Sequence, residues 1–528
     1  MSAVAESQDI CDNEYLGSRP GDFLLEREQT MNPVATRLTI LIVCLGWLSC
    51  AWQAALPAQS TFKVPSQYKK VQAAIDAANN LDVVLVDPGT YPENLDFKGK
   101  RITVKSTGGP TVTVLDGKLQ GSVVTFRSGE NSRSVLEGFT LKNGSGTVNG
   151  TKSFGGGIYC REASPVIAGN IITGNLLSTS DGSGGGIYCF RAAPVIRNNV
   201  ITGNVATSDG GGVYLHIASA TVIGNQILKN STNKYGGGIC CNYATPLIQD
   251  NEVVDNVASD GGGLSCLTSS TATVVNNIFL RNFVVGLGGG IHVSASKPIL
   301  TNNTVYNNFA KTAGGGILCD IGSIVTLTNT IVWGNTAPFG QEMYVTSLTN
   351  PTVTCCNIKG GWSGTGNINL LPHFADTAAD DMHLLHTCPC VNAGTNSAPG
   401  LPAVDFEGDA RVSLTTVDMG ADEFYDHLYV TGNVTPGGKI QVKFTGLPGS
   451  LLILGIGSAT LTNPIKIPGY GLLWLFPPIS LIGMGKMSLS GIFVFNFTIP
   501  GTYPLGVDLP LQAMIGNRLS NLEMLQVR

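Results

Sequence analysis

Residues 210–235 read GGGVYLHIASATVIGNQILKNSTNKY, and the next glycine triplet follows at once, at Gly236. Triplets of this kind divide the middle of the chain into successive units of 25 to 29 residues. They begin at Gly155, Gly184, Gly210, Gly236, Gly261, Gly288 and Gly314. A fixed period of this length indicates a repeat protein, in which each unit buries its apolar face against its neighbours.

Two series of asparagines keep the register of the glycines. The first series is Asn170, Asn199, Asn225, Asn251, Asn277, Asn303 and Asn329. The second is Asn175, Asn204, Asn230, Asn256, Asn282 and Asn308. Asparagine tolerates left-handed turns, and stacked asparagines can bond one another along an axis. We therefore interpret the first series as a structural ladder at a turn.

Apolar residues alternate at fixed offsets within each unit, as in a strand. The third residue after each first glycine is Ile158, Ile187, Val213, Ile239, Leu264, Ile291 or Ile317. Two residues further on are Cys160, Cys189, Leu215, Cys241, Cys266, Val293 and Cys319. These columns predict an all-β chain, a single-stranded right-handed parallel β-helix (β-solenoid). Its column cysteines serve as small apolar side chains, whereas the disulfide state of Cys355, Cys356, Cys388 and Cys390 stays open.

Three parts of the chain are predicted. Residues 59–425 form the β-helix, and residues 68–80, YKKVQAAIDAANN, form a short capping helix with one apolar face. The seven marked coils alone rise about 34 Å at one strand spacing per coil. Residues 426–528 alternate between Pro-Gly turns and predict a small C-terminal β-sandwich.

The first 58 residues predict export. From Arg37 the chain reads RLTILIVCLGWLSCAWQAALPAQS, a basic residue, an apolar core and small residues, which is typical of a secretory signal peptide cleaved near Ala58. The polar stretch before Met31 matches no targeting segment, so we predict Met31 as the true start. The protein is then secreted or displayed on a bacterial surface without a membrane span in the mature chain. An uncleaved anchor is the alternative.

Charge limits the range of partners. Charged residues make up only 13% of the chain, and the net charge is −5. Without a basic stripe to neutralise phosphates, nucleic acid is excluded as the expected partner. The oligomeric state is left open.

The chain also resembles known families. Residues 71–117, VQAAIDAANNLDVVLVDPGTYPENLDFKGKRITVKSTGGPTVTVLDG, are similar to the start of bacterial right-handed β-helix repeat proteins of the pectin-lyase-like superfold. The Gly-Gly-Gly-Ile units resemble repeats of polymorphic outer-membrane adhesins. DFEGDARVSLTTVDMGADEF at 405–424 resembles a segment that closes such helices in surface-anchored members. The last hundred residues resemble C-terminal domains of planctomycete secreted proteins.

Catalytic motifs of that superfold are not recognisable in the sequence, so no catalytic residue is predicted. Asp380, Asp381, His383 and His386 have a spacing that suits a metal, but they lie in a predicted loop. We therefore predict no metal and no cofactor, with calcium needed only if the protein is an enzyme. The acidic residues of 405–423 and Arg411 are interpreted as a salt-bridged terminal coil.

The outward face of the glycine strand carries the predicted ligand-binding residues. Tyr159, Tyr188 and Tyr214 fall on consecutive coils, beside Arg161, His216 and His292. Exposed stacked aromatics beside polar groups suit the apolar faces and hydroxyls of sugars. The competing interpretation is the high β propensity of tyrosine. The predicted function is a binding or adhesion module for carbohydrate or a cell-surface glycan. The alternative is a polysaccharide lyase or hydrolase acting on an acidic glycan.

Overall fold

The computed structural model describes residues 59–385, 387–412 and 416–424, together with the backbone of strands between 428 and 526. The predicted signal peptide and Met31 lie outside the described residues. Among the described residues, no helix is long and apolar enough to cross a membrane.

The core of the fold is a parallel β-solenoid, as predicted. Sheet 1 contains Thr61–Val64, Val83–Val86, Thr103–Ser106, Val135–Glu137, Val166–Ala168, Val195–Arg197, Thr221–Ile223, Leu247–Gln249, Thr273–Val275, Ile299–Thr301, Thr326–Thr328 and Thr352–Thr354. Sheet 2 contains Gly89–Tyr91, Thr113–Asp116, Thr140–Lys142, Ile171–Thr173, Val200–Thr202, Gln226–Leu228, Glu252–Val254, Ile278–Leu280, Thr304–Tyr306, Ile331–Trp333 and Asn357–Ile358. After the first strand, Thr61–Val64, each coil contributes one strand to each of these sheets.

Two further sheets complete the coils. Sheet 3, which follows the glycine triplets, contains Leu95–Asp96, Val124–Phe126, Ile158–Arg161, Ile187–Phe190, Val213–His216, Ile239–Asn242, Leu264–Leu267, Ile291–Ser294, Ile317–Asp320 and Met343–Val345. Sheet 4 contains Val205–Ala206, Ser231–Thr232, Val257–Ala258, Phe283–Val284 and Phe309–Ala310. Coils without a glycine triplet therefore precede and follow the marked ones.

The inward columns are those that the alternation predicted. Ile158, Ile187 and Ile201 are fully buried in one continuous core that runs through the stacked coils. The column cysteines are also fully buried and unbridged. They pack as small apolar side chains, as predicted.

The glycine triplets allow the coils to approach each other closely. Gly210 has a φ of 65°, and a Cβ there would lie 2.6 Å from Cβ of Tyr214. A Cβ on Gly211 would lie 2.5 Å from the carbonyl oxygen of Gly237 in the next coil. A side chain at either position would therefore force backbone apart.

The first asparagine series forms a buried ladder at the corner between sheets 1 and 2. Oδ1 of Asn251 accepts the backbone N–H of Asn225 at 3.0 Å and its side-chain amide at 2.9 Å. Nδ2 of Asn251 donates to Val222, in the coil below, at 2.9 Å. The buried amides from Asn170 to Asn277 repeat this pattern, so each coil satisfies polar groups of the preceding one.

The prediction of Asn329 as the seventh ladder member is wrong. Thr330 is paired with Asn303, and its hydroxyl accepts the backbone N–H of Asn303 at 3.4 Å. The step from Asn303 to Thr330 is 27 residues, one longer than the four steps between Asn199 and Asn303, which shifts the register. Asn329 instead donates to Asn302 Oδ1 and to the carbonyl of Thr395.

The second asparagine series is also a ladder, and it continues to Asn335. Oδ1 of Asn335 accepts the backbone N–H of Asn308 at 2.8 Å. The carboxylate of Glu342 then accepts both the backbone N–H and the side-chain amide of Asn335, at 3.1 and 2.6 Å. Glu342 thus ends the ladder.

The predicted cap is present as α1, Val71–Ala77. Val71, Ala74 and Ile75 are buried against the first coils. The Glu93 carboxylate accepts the backbone N–H of Val71 and of Gln72, and Nζ of Lys100 bonds three carbonyls at the other end, those of Ile75, Asp76 and Ala78. Side chains from the coils therefore satisfy the ends of this short helix.

The sequence predicted a salt-bridged terminal coil for the acidic stretch 405–423. Residues 374–424, named here the closing segment, do not form such a coil. They include a hairpin of Phe374–Asp376 and Asp381–Leu384 and pack along the outer face of sheet 2. Phe374, Met419 and Phe424 join an apolar cluster with Ile278 and Leu280. Outward apolar residues of sheet 2 need cover, which explains this position.

The remaining strands are antiparallel. Thr147–Asn149 pairs with Lys152–Phe154 as a hairpin inserted before the first triplet. Beyond the closing segment the strands are Leu428–Gly432, Lys439–Thr445, Leu451–Ile456, Thr460–Ile467, Gly471–Leu475, Ser480–Lys486, Ile492–Thr498, Asp508–Ile515 and Arg518–Gln526. They pair in sets of three, four and two strands. The C-terminal β-sandwich stays a prediction.

Candidate functional site

The outward face of sheet 3 carries two parallel columns of side chains. In the tyrosine column Tyr159, Tyr188 and Tyr214 stand in direct register. Two residues further along each strand is the second column, named here the outer column: Arg161, Phe190, His216 and Asn242. The registers predicted from the repeat are therefore the observed ones.

The tyrosine column is not an exposed platform, so that expectation is wrong. Tyr159, Tyr188 and Tyr214 are only 6%, 8% and 6% exposed. Phe154 and Tyr235, which directly precede two of the triplets, pack against this cluster, and the Phe154 ring lies 4.7 Å from that of Tyr188. Burial raises the pKa of Tyr188 and of Tyr214 well above the ordinary tyrosine value.

The tyrosine rings also do not form one flat surface. Tyr159 and Tyr188 are stacked, with centroids 5.6 Å apart and planes 4° apart. Tyr188 and Tyr214 are 5.7 Å apart but tilted by 42°. The tyrosines form a small apolar cluster outside the solenoid interior. The side chains of the outer column pack on this cluster.

The outer column holds the accessible aromatic surface. Phe190 and His216 are half-buried and stacked, with ring centroids 5.4 Å apart and planes 20° apart. The guanidinium groups of Arg161 and Arg191 lie 5.5 and 5.1 Å from the Phe190 ring centre. Tyr243, 52% exposed, meets the His216 ring edge-on at 6.3 Å.

The hydroxyl of the buried Tyr214 holds two polar side chains of the outer column in place. Its hydroxyl is 3.1 Å from Nδ1 of His216 and accepts Nδ2 of Asn242 at 3.3 Å. Burial, with a smaller contribution from Arg191, lowers the pKa of His216, so the imidazole is neutral at pH 7. The Phe190–His216 stack, with its neutral imidazole, therefore has an amide and two guanidinium groups beside it.

His292 does not join this surface. It lies in the tyrosine column at 3% exposure, and its Nε2 is 3.3 Å from the Asp320 carboxylate. Of the residues predicted for ligand binding, Arg161 and His216 lie at the surface, whereas His292 and the three tyrosines lie beneath it.

A polar cleft of about 550 Å³ opens beside the lower end of the outer column. Arg127 follows Phe126, the partner of Cys160, and so lies one coil below Arg161. Its guanidinium bonds the Asp96 carboxylate at 2.9 Å. Asn94, Gln120, Thr125 and Ser145 add further polar groups to the lining. The sequence carried no signal for this cleft, because its coils have no glycine triplet.

A second, acidic cleft of about 480 Å³ lies between sheet 2 and the closing segment. Asp250, Glu252 and Glu407 line it, together with Gln226 and Phe406. Burial raises the pKa of Asp250 to about 6, and burial also raises the pKa of Glu252. Carboxyl groups with raised pKa values in a cleft are candidates for proton transfer.

The structure separates the residues of the predicted metal-like cluster, which bond different partners. Asp380 pairs with Arg281 on sheet 2, whereas Asp381 bonds Nδ1 of His383 at 2.5 Å. Nε2 of His383 lies 3.0 Å from the Glu407 carboxylate. Burial acts to lower the pKa of His383, but these two carboxylates outweigh it and raise that pKa to about 11. His386 lies outside the described residues.

A buried arginine organises the rest of the closing segment. Arg411 donates to the carbonyl oxygens of Gly420 and Ala421. Asp405 accepts the backbone N–H groups of residues 407 to 409 and of Glu423. Burial raises the pKa of Asp405 to about 7. The predicted salt-bridged cluster is therefore a network of buried charges that hold backbone loops.

Comparison with protein families places the repeat. A family model described as right handed beta helix region matches residues 103–279 and 156–364. No curated protein matches the chain. The resemblances of the repeats to outer-membrane adhesins and of the last domain to planctomycete proteins stay predictions.

Solved structures show distant similarity. Tailspike protein 2 from Escherichia coli O157:H7 bacteriophage CAB120 is 12% identical, with a TM-score of 0.33 over 86% of this chain and 65% of that one. A PL6 family alginate lyase is 12% identical, with a TM-score of 0.29 over 60% of this chain and 54% of that one. The Siphovirus 9NA tailspike receptor binding domain is 10% identical, with a TM-score of 0.21 over 86% and 98%. The chain thus spans less than two thirds of the first two structures.

Proposed function

Taking residues 103–364 as a right-handed β-helix region, we propose that the protein is a carbohydrate-binding or adhesion module, secreted or displayed on the cell surface. The observation that carries this proposal is the accessible Phe190–His216 stack between Arg161 and Arg191. We place the binding surface on the outer column and the adjoining polar cleft.

The chemistry of this surface suits a sugar chain. An aromatic face packs against the apolar face of a pyranose, and nearby polar groups bond its hydroxyls. Asn242, held through its Nδ2 by the Tyr214 hydroxyl at 3.3 Å, adds an amide to the outer column. Arg161 and Arg191 favour a carboxylate or sulfate on the sugar, since guanidinium groups bind such anions in a bidentate manner.

A glycan array with the purified full chain tests the proposal. We expect binding to one class of polysaccharide, weakened about tenfold or more in Phe190→Ala and in Arg161→Ala. Phe309→Ala is the matched control, because Phe309 also belongs to an accessible stacked pair, with Phe283 on sheet 4, but lies on a different face. Unchanged affinity in both outer-column variants at unchanged thermal stability would refute this surface.

Export is part of the proposal. Secreted material whose first residue lies near Gln59 would support it, whereas recovery of peptides from before Met31 in the mature protein would contradict it. N-terminal sequencing makes this measurement.

The acidic cleft favours a second candidate, a polysaccharide hydrolase or lyase. A carboxyl group with a pKa near 6 beside other carboxylates is the arrangement of a general acid paired with a base or nucleophile. Incubation with pectate, alginate and other acidic glycans, with and without calcium, tests it. Depolymerisation that Asp250→Asn and Glu252→Gln abolish would establish the enzyme and overturn the pure binding role.

A further inference from the structure

Three ligand-type side chains meet inside the closing segment, from parts of the sequence that are not adjacent. His383 lies on the hairpin strand Asp381–Leu384, Glu407 on the loop beside the acidic cleft, and Asp422 on the last turn. One ligand atom from each lies within 4.8 Å of the other two. The cluster joins segments that are 24 and 15 residues apart in the chain.

Asp422 supplies an independent indication that something binds here. Its side chain is 5% exposed, and its Oδ2 accepts the backbone N–H of Leu384 at 2.6 Å. Its Oδ1 is buried and has no hydrogen-bond partner among the described residues. A buried carboxylate oxygen without a partner is costly, so a positive ligand at this point would remove that cost.

His383 is held in the orientation that metal-binding imidazoles adopt. Asp381 fixes Nδ1 at 2.5 Å, which leaves Nε2 directed toward the carboxylate of Glu407 at 3.0 Å. In metal sites the second ring nitrogen is held in this manner by a carboxylate, which sets the tautomer and strengthens the ligand. Asp381 is therefore a positioning residue in this arrangement.

We propose that His383, Glu407 and Asp422 bind one divalent transition-metal ion of the Zn²⁺ type. One imidazole nitrogen with two carboxylates suits zinc better than calcium, which takes six to eight oxygen ligands. Ligands around a tetrahedral zinc ion lie about 3.4 Å apart, since each bond is about 2.1 Å. Zn²⁺ would replace the proton that His383 Nε2 shares with Glu407, and the three ligand atoms, which lie within 4.8 Å of one another, would draw together to that spacing. The ion fastens the hairpin and the two loops to one another, independently of any glycan binding.

Titration of the chelator-treated full chain with ZnCl₂ tests the site, by calorimetry and by the shift of the thermal midpoint. We expect one saturable ion per chain and a midpoint several degrees higher. Glu407→Gln and His383→Gln each should weaken Zn²⁺ binding at least tenfold, and Asp381→Asn should weaken it 10- to 100-fold. His373→Gln, just before the closing segment and bonded to Thr387, is the matched control and should bind as the wild type does.

Two results would overturn the proposal. One is a wild-type chain without a saturable zinc site. The other is equal affinity in wild type and Glu407→Gln, whose half-exposed side chain can be changed without unfolding the segment. Circular dichroism of every variant separates loss of ligand from loss of fold. Tighter binding of CaCl₂ than of ZnCl₂ would overturn the assignment to a transition metal.

Discussion

The repeating coils and the closing segment solve the problem of buried polar groups in opposite ways. In the coils, most ladder asparagines bond the equivalent asparagine of the next coil, so one pattern serves nearly every position. In the closing segment, Arg411, Asp405 and Asp422 each have different partners that occur once. The coils therefore gain stability by repetition, whereas the closing segment depends on single contacts that can carry specific chemistry.

The largest effect is expected inside the repeat. Ile201→Asp places a charge in a fully buried column, and we expect a loss of about 4 kcal/mol or more, with several coils frayed. A denaturant titration measures it. Thr202→Asp, on the same strand but facing outward, should cost less than about 1 kcal/mol. Similar losses in both variants would mean that the inward column has been assigned wrongly.

Loss of the Arg411 guanidinium should destabilise the closing segment. Arg411→Met leaves the surrounding carboxylates without their central cation, and we expect a loss of about 3 kcal/mol in the stability of this segment. Limited proteolysis should then cut residues 374–424 while the coils stay resistant. Lys105→Met, which breaks an exposed pair with Glu137 within the coils, serves as the control and should cost under about 1 kcal/mol. Unfolding of the coils together with the segment would contradict the division drawn between the two regions.

Loss of one ladder asparagine should cost less stability than either of these two substitutions. Asn251→Ala leaves the backbone N–H of Asn225 without its acceptor and removes the side-chain donor to Oδ1 of Asn277, which keeps only the backbone N–H of residue 251, so we expect a loss of about 2 kcal/mol. Chemical denaturation provides the comparison with Asn198→Gly, an exposed neighbour of the ladder that has a φ of 54°. A cost at Asn251 no larger than at Asn198 would show that the ladder does not contribute to stability.

The smallest effect is a pH dependence at Asp250. Its pKa is about 6 in the folded chain against about 4 when unfolded, so the folded state binds the extra proton between these values. Stability should therefore fall by about 1 to 2 kcal/mol as pH rises from 4 to 6.

Asp250→Asn isolates this contribution from its charged neighbours, Glu407 and Arg411. The variant should match wild type at pH 4 and exceed it in stability at pH 7. A constant difference between the two proteins across that range, in urea titrations at each pH, would rule out Asp250 as the titrating group.

The periodic part of the fold could be predicted because its physics is local and repeated. Each inward column and each ladder position recurs every 26 residues or so, and such signals reinforce one another. Asn329 shows the limit, since it continues the spacing while the pairing has moved to Thr330. Counting residues from one repeat to the next does not show where an extra residue has been inserted. The hydrogen-bond pairing between coils does show it.

The candidate sites could not be predicted to the same degree. The outward direction of Tyr188 followed from the alternation, but its burial depends on Phe154, a residue before the triplet that packs over it. His383 and Glu407 meet only because the closing segment folds back along sheet 2. Contacts of that kind are set by tertiary packing, which leaves no period in the sequence.

Glu342 determines where the second asparagine ladder ends, although sheets 1 and 2 continue beyond it to Thr352–Thr354 and Asn357–Ile358. Its carboxylate fills the place of the next asparagine but has only acceptor oxygens when ionised, so it can receive the hydrogens of Asn335 and cannot pass any on to another coil. The ladder thus has a chemical stop, because an ionised carboxylate at this position offers no hydrogen to the coil stacked beyond it.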